Sequence, residues 1–258
     1  MTRCAAPSLF AGIASFLSAS VGGRFRLIIG FEAPDGKGTA REGASIIEGT
    51  GGHALLMPRA LPAPLTAFAV RMVMADGAVY LSGDGEALVY LGGRAVDRAH
   101  EGAPAGERER TLIDEAVAGY RDDSTVPRAL GGWESVGEGM IGAYVDRMSS
   151  RIAGLAEGGR TPGSVSIDDT SGILADLLGR LGVPVAEDGA GLTLRVSPDG
   201  RRLASSMPED EVARVLEGAL TTNPAVPSGP GLYCVDPAFV LDADAISAAA
   251  CLAVLAER

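Results

Sequence analysis

The chain has 258 residues, 47% of them hydrophobic and only 21% charged. That composition describes a globular protein with one large or two modest cores, and excludes an intrinsically disordered one. A net charge of −11 lacks the basic footprint that general nucleic-acid binding requires.

Residues Ala11–Val21 are small and apolar behind Arg3. Serines at 15, 18 and 20 interrupt the run, and Leu9, Phe10, Ile13, Phe16 and Leu17 recur at helical spacing. This predicts an amphipathic first helix rather than a signal peptide. No apolar run reaches the ~20 residues needed to span a bilayer. The cysteines Cys4, Cys234 and Cys251 form an odd set without metal-ligand spacing, so the expectation is a reducing cytoplasm and no disulfide framework.

Apolar runs at Arg26–Ile29, His53–Met57 and Gly77–Leu81 read as strands alternating with helices, the pattern of a mainly parallel sheet. Thr39 is placed to cap a helix over Ala40–Glu48, and Pro64 to open the next one. Glu86–Leu91 reads as an antiparallel return strand, and Gly92–Arg110 as an exposed stretch. Leu112, Ile113, Ala116, Val117 and Tyr120 mark one face of a helix. A loop over Arg121–Gly132 precedes a long helix, Val136–Leu155. Gly158–Gly163 is the linker candidate. A second α/β unit follows. It has a strand at Ser164–Ile167, a helix faced by Ile173, Leu174, Leu177, Leu178 and Leu181, and a hairpin turning at Pro198-Asp199-Gly200. A capping box at Ser206 and Glu209 is expected to open a helix over Asp210–Leu220. A strand at Gly231–Val235 and a helix over Asp242–Glu257 close the chain.

The order and wording of the Arg26–Tyr90 stretch carry a resemblance. Leu61-Pro62-Ala63-Pro64-Leu65-Thr66-Ala67-Phe68-Ala69-Val70-Arg71, followed by Ala75-Asp76-Gly77 and then Ser82-Gly83-Asp84-Gly85-Glu86-Ala87, resembles the first domain of the α-D-phosphohexomutases. In that family the matching six positions carry a phosphorylated serine in Thr-Ala-Ser-His-Asn-Pro. The resemblance is good over Arg26–Tyr90, fair over Ser164–Leu220 and thin at the end, where Asp244 and Ile246 match a helix start. It implies phosphohexomutase-like α/β domains with mainly parallel mixed sheets flanked by helices. A first domain with a linker helix would cover 1–157 and a shortened second and third region 164–258, with the fourth, phosphate-binding domain absent.

The family's chemistry does not transfer residue by residue. The serine position holds Asp84, which could mimic a phosphoserine with a single charge, act as a carboxylate nucleophile, or simply sit in a turn, since Asp-Gly is a favoured turn pair. Under the resemblance the three-aspartate metal loop either aligns without gaps with Ser197-Pro198-Asp199-Gly200-Arg201-Arg202, or is deleted, with Pro198-Asp199-Gly200 a hairpin later in that domain. Both alignments remove the metal. In the ungapped one Asp199 is the only possible metal-ligand remnant, and Arg201 puts a cation where Mg²⁺ would need an oxygen. The sugar-reading Glu/Ser motif falls on Ser228-Gly229-Pro230-Gly231, without its glutamate. Asp168-Asp169 could bind a cation or cap the following helix, and His53 reads as a strand start rather than a zinc ligand.

The resulting expectation is a non-catalytic interaction or regulatory protein, without family-type phosphomutase activity. It would need no cofactor and would associate with itself or with a full-length mutase-like chain. One alternative is a divergent enzyme with a site rebuilt around Asp84 and flanked by Ser82 and Glu86, in which case Mg²⁺ would be its cofactor. Another is a module binding a sugar phosphate through Ser82, Glu86 and Ser228. Neither nucleic acid nor a membrane is expected as a partner.

Overall fold

The computed structural model describes residues 7–96, 104–120, 125–155, 163–186, 190–217, 220, 223, 226–227 and 229–256. The chain divides into two compact units, Met1–Glu138 and Gly139–Arg258. The helix expected to close the first domain therefore belongs with the second unit, because its apolar face packs there.

In the first unit the predicted apolar runs become β1 (Arg26–Phe31), β2 (His53–Leu56), β3 (Gly77–Leu81) and β4 (Ala87–Leu91). With β5 (Arg94–Ala95) and β6 (Glu134–Ser135) they form one sheet of order β5-β4-β3-β1-β2-β6. β3, β1, β2 and β6 run parallel, and β4 and β5 are antiparallel returns. The central strands are buried on both faces, which is why they read as unbroken apolar runs. Leu27, Ile29 and Phe31 pack with α1 (Pro7–Val21), α2 (Gly36–Gly49) and Ile113 of α4 (Pro104–Ala118). On the other side α3 (Ala63–Met72) packs on β1 and β3. There a side chain at Gly30 would collide with the buried Thr66 Oγ1, so glycine is what lets α3 sit this close.

Several local expectations change. α2 begins at Gly36 with Asp35 as N-cap, not after Thr39, because the turn bonds Gly36 N–H to Ala33 O and Lys37 N–H to Pro34 O already lead into the helix. The stretch expected to be exposed from Gly92 contains β5 and the start of α4. Residues 97–103 lie outside the described residues, as do 121–124 of the expected loop. Val136 donates to Leu56 O at 2.8 Å, extending the sheet, so the long helix starts only at Gly139.

In the second unit α5 (Gly139–Leu155) packs on α6 (Ile173–Leu181) and α8 (Ala245–Leu255). β7 (Val165–Asp168) pairs parallel with β8 (Leu192–Val196), which pairs antiparallel with β9 (Leu203–Ser205). α8 is buried from Ala245 through Ala253, and α7 (Glu209–Glu217) turns Val212 and Leu216 inward. The capping box does not form. Ser206 Oγ accepts from Thr193 N–H at 3.0 Å, and the first turn of α7 hangs from Pro208 O. Gly231–Val235 is not a strand. A turn from Gly229 O to Leu232 N–H and a left-handed Gly231 (φ 73°) break it, leaving Gly231 O to accept from Leu203 N–H. Residues 158–162 of the predicted linker lie outside the described residues. Among the described residues, no helix is long and apolar enough to cross a membrane.

Candidate functional site

In the first unit the candidate loop joins β3 to β4, whose last pair is Leu81 with Ala87. Ser82 N–H donates to Glu86 O at 2.9 Å and Gly85 N–H to Ser82 O at 3.1 Å. Gly85 takes the left-handed conformation, φ 84°, that this turn needs. Asp84 Oδ1 accepts Glu86 N–H at 3.0 Å, an Asx turn built from its own loop. From the end of β1, Glu32 Oε2 accepts Gly83 N–H at 3.1 Å. The fold thus gathers Ser82, Asp84 and Glu86 at the carboxyl end of the parallel strands, where α/β sheets carry ligands. Asp84 and Glu86 are exposed and Ser82 is half-buried.

In the second unit the string Ser197–Arg202 is the tip of the β8–β9 hairpin. Asp199 Oδ1 accepts the Ser197 hydroxyl at 2.5 Å and Arg201 N–H at 3.1 Å. Gly200 N–H donates to Ser197 O at 2.7 Å, with Gly200 at φ 76°. The Asp199 carboxylate therefore serves its own turn. Arg201 runs inward instead of toward solvent: its Nε and Nη2 reach Asp242 Oδ1 at 3.2 and 3.0 Å, and Asp242 is fully buried. Among the described residues, no group of three or more His, Cys, Asp or Glu side chains converges as a metal site would require.

A cleft of about 580 Å³ opens beside this hairpin, with Arg195, Ser197, Arg202, Ser205, Glu209 and Tyr233 among its walls. Arg195 Nε pairs with Asp168 Oδ2 at 3.1 Å across β7 and β8, and Arg202 Nη1 reaches Pro230 O at 3.4 Å. Guanidiniums and hydroxyls over an apolar floor of Val196, Leu203 and Val212 give the make-up of a small-molecule pocket. Ser228 lies outside the described residues. Asp169 caps α6, its Oδ2 accepting Leu174 N–H at 2.9 Å. His53 starts β2 and bonds Glu48 Oε1 through Nδ1 at 2.9 Å.

Sequence reasoning missed a buried polar cluster behind the hairpin. Asp236, Asp242 and Asp244 are all buried. Arg147 Nε holds Asp236 Oδ2 at 2.6 Å while its guanidinium stacks 3.5 Å from the Phe239 ring centre. The Tyr144 hydroxyl donates to Asp244 Oδ1 and Oδ2 at 2.8 and 2.9 Å. Burial pushes the Asp244 carboxyl up to about 6 against the opposing pull of Ser247 and Tyr144, and burial then the Asp244 charge hold the Tyr144 hydroxyl well above its ordinary value. The available signal was three aspartates within nine residues of a nearly uncharged tail.

No protein-family profile matches the chain, and no curated protein sequence matches it. Solved structures do. A proposed phosphomannomutase from Thermus thermophilus is 15% identical with a TM-score of 0.69, over 98% of this chain and 76% of that one. A phosphoglucomutase/phosphomannomutase family protein from Burkholderia thailandensis is 15% identical with a TM-score of 0.52, over 78% of this chain and 50% of that one. The Paramecium phosphoprotein pp63/parafusin, a phosphoglucomutase in its open form, is 11% identical with a TM-score of 0.54, over 82% and 52%. The chain thus spans about three quarters of the first of these structures and about half of the other two. It has a phosphohexomutase-like α/β fold.

Proposed function

We propose that this chain uses the phosphohexomutase-like scaffold for binding and not for phosphoryl transfer. One observation carries the reading. The carboxylate at the metal-loop position, Asp199, is spent on its own turn while the neighbouring Arg201 neutralises buried Asp242. Arg201 therefore offers no oxygen where Mg²⁺ would need a second ligand. Asp84 is likewise engaged by its own loop. The partner under this reading is another protein chain, a second copy or a full-length mutase-like protein. Exposed Met74 and Leu130, 82% and 106% accessible, supply apolar contact for it.

The test is a coupled assay with glucose 1-phosphate and mannose 1-phosphate, with and without a bisphosphate activator and Mg²⁺. The expected result is no turnover above a blank. Turnover that survives repurification and vanishes in Asp84→Ala would establish the rebuilt-site enzyme instead. Light scattering at micromolar concentration is expected to report more than one chain per particle, and a strict monomer would leave self-association without support.

A second reading rests on the cleft beside the hairpin: retention of a sugar phosphate without chemistry. Its polar walls offer Arg202 and the Tyr233 ring over apolar residues. Calorimetric titration with glucose 6-phosphate decides it. Binding lost in Arg202→Gln supports retention, and no heat at millimolar ligand removes it.

A further inference from the structure

The cluster behind the cleft is out of balance in charge. Three buried carboxylates, Asp236, Asp242 and Asp244, face two guanidiniums that pair with them. Arg147 holds Asp236 and Arg201 holds Asp242. Asp244, two residues from Asp242 and itself fully buried, receives hydrogen bonds from neutral donors, among them the Tyr144 hydroxyl and Ser247 N–H at 3.1 Å. Among the described residues no cation pairs with it. An uncompensated carboxylate in a dry site is disfavoured and takes up a proton more readily than an exposed one.

The position of Asp244 makes that proton consequential. Its own N–H donates to Tyr233 O at 2.6 Å, and the next N–H, of Ala245, donates to Gly200 O at 2.9 Å. Tyr233 belongs to one wall of the cleft. Gly200 is in the hairpin tip whose Ser197, Pro198 and Arg202 form another. Both walls are therefore anchored to consecutive peptide groups at the start of α8, where Asp244 is the N-cap. The groups facing this carboxylate are few. α5 contributes Tyr144 and, toward Asp236, Arg147; the hairpin contributes Arg201 toward Asp242; the 234–244 segment contributes Cys234, Asp236 and Asp242; α8 contributes Ser247. α6 turns only Ile173, Leu174, Leu177 and Leu178 into this core.

We propose that Asp244 is a proton switch behind the cleft: taking up a proton under mildly acidic conditions removes the cost of burying its unpaired charge and tightens the anchoring of both cleft walls to α8. Neither the absence of mutase turnover nor the identity of a partner enters this inference. With the folded carboxyl titrating near 6 and the exposed one near 3.8, the stabilisation is complete below the lower value. It is lost as the pH rises through the upper one.

The experiment is ¹³C NMR of the full chain labelled at aspartate, combined with hydrogen exchange of the peptides containing Leu203 and Ala245. One aspartate is expected to titrate near pH 6, apart from the exposed ones. After correction for intrinsic chemistry, those peptides should exchange about tenfold more slowly at pH 5 than at pH 7.5. Asp244→Asn should remove the outlying resonance and flatten the exchange profile. Tyr144→Phe, which deletes a donor to the charged form, should move the midpoint upward, and it serves alone if the asparagine variant does not fold. Wild-type aspartates that all titrate below pH 5, or an exchange profile unchanged in either variant, would overturn the proposal.

Discussion

At the scale of residues, the most demanding contact in the second unit is Arg201 with Asp242. Breaking a buried pair by removing one member costs about 3–5 kcal/mol, because the survivor is left charged in a poor solvent. Arg201→Met is therefore expected to lower the urea unfolding free energy of the full chain by about that much. Arg201→Lys is expected to recover only part of it, since an ammonium cannot reproduce the guanidinium's planar, forked donor set. Removing both charges with Arg201→Met and Asp242→Asn should restore most of the loss. A single-variant change under ~1 kcal/mol, the size of a solvated surface pair, would mean the charges are already solvated. These residues also mark where reading the sequence fell short. Arg201 was legible as a cation unfit for a metal loop, but nothing in the local string said that Asp242, forty-one positions on, would receive it. Asp84 and Asp199 were both legible as turn residues because an Asx turn is decided by its nearest neighbours.

Among elements, those with strong local signals came through. β1 and β3 were announced by runs apolar on both faces, and α6 by leucines at helical spacing ended by a left-handed Gly182 (φ 70°). β6 was not, because a two-residue edge strand has no period and exists only through its pairing with β2. Gly231–Val235 failed for the opposite reason: a good local strand pattern was overridden by the turn at Gly229. Element packing gives a paired prediction from one substitution type. In α1, a Cβ at Gly12 would lie 2.7 Å from Val117 Cα of α4, so Gly12→Ala is expected to destabilise by about 1–3 kcal/mol through overpacking. In α5, Gly142 has nothing within 4 Å of that position, and Gly142→Ala should stabilise by about 0.5–1 kcal/mol by helix propensity alone. Thermal melts by circular dichroism separate them; shifts of the same sign would show that α1 and α4 do not approach as closely as described.

For the whole molecule, the likeness of folds and the differences at the loops meet in one measurable property, the response to Mg²⁺. A net charge of −11 lets any cation screen repulsion slightly, so the comparison has to be made against monovalent salt at equal ionic strength. A specific site binding only the native state adds RT ln(1 + [L]/Kd), about 2.7 kcal/mol at a hundredfold excess over Kd. For that term to appear here, Mg²⁺ would have to take Asp199 from Ser197 Oγ and the Arg201 N–H, or recruit Asp84 out of its Asx turn. Each exchange gives up hydrogen bonds worth about 0.5–1.5 kcal/mol, or more to a charged acceptor, before any coordination is gained. The melting temperature of the full chain is therefore expected to be the same in 10 mM MgCl₂ as in NaCl matched to its ionic strength. A midpoint that climbs steadily with Mg²⁺ above the NaCl control, and loses that climb in Asp84→Asn or Asp199→Asn, would locate a working metal site and return the chain to the enzymes.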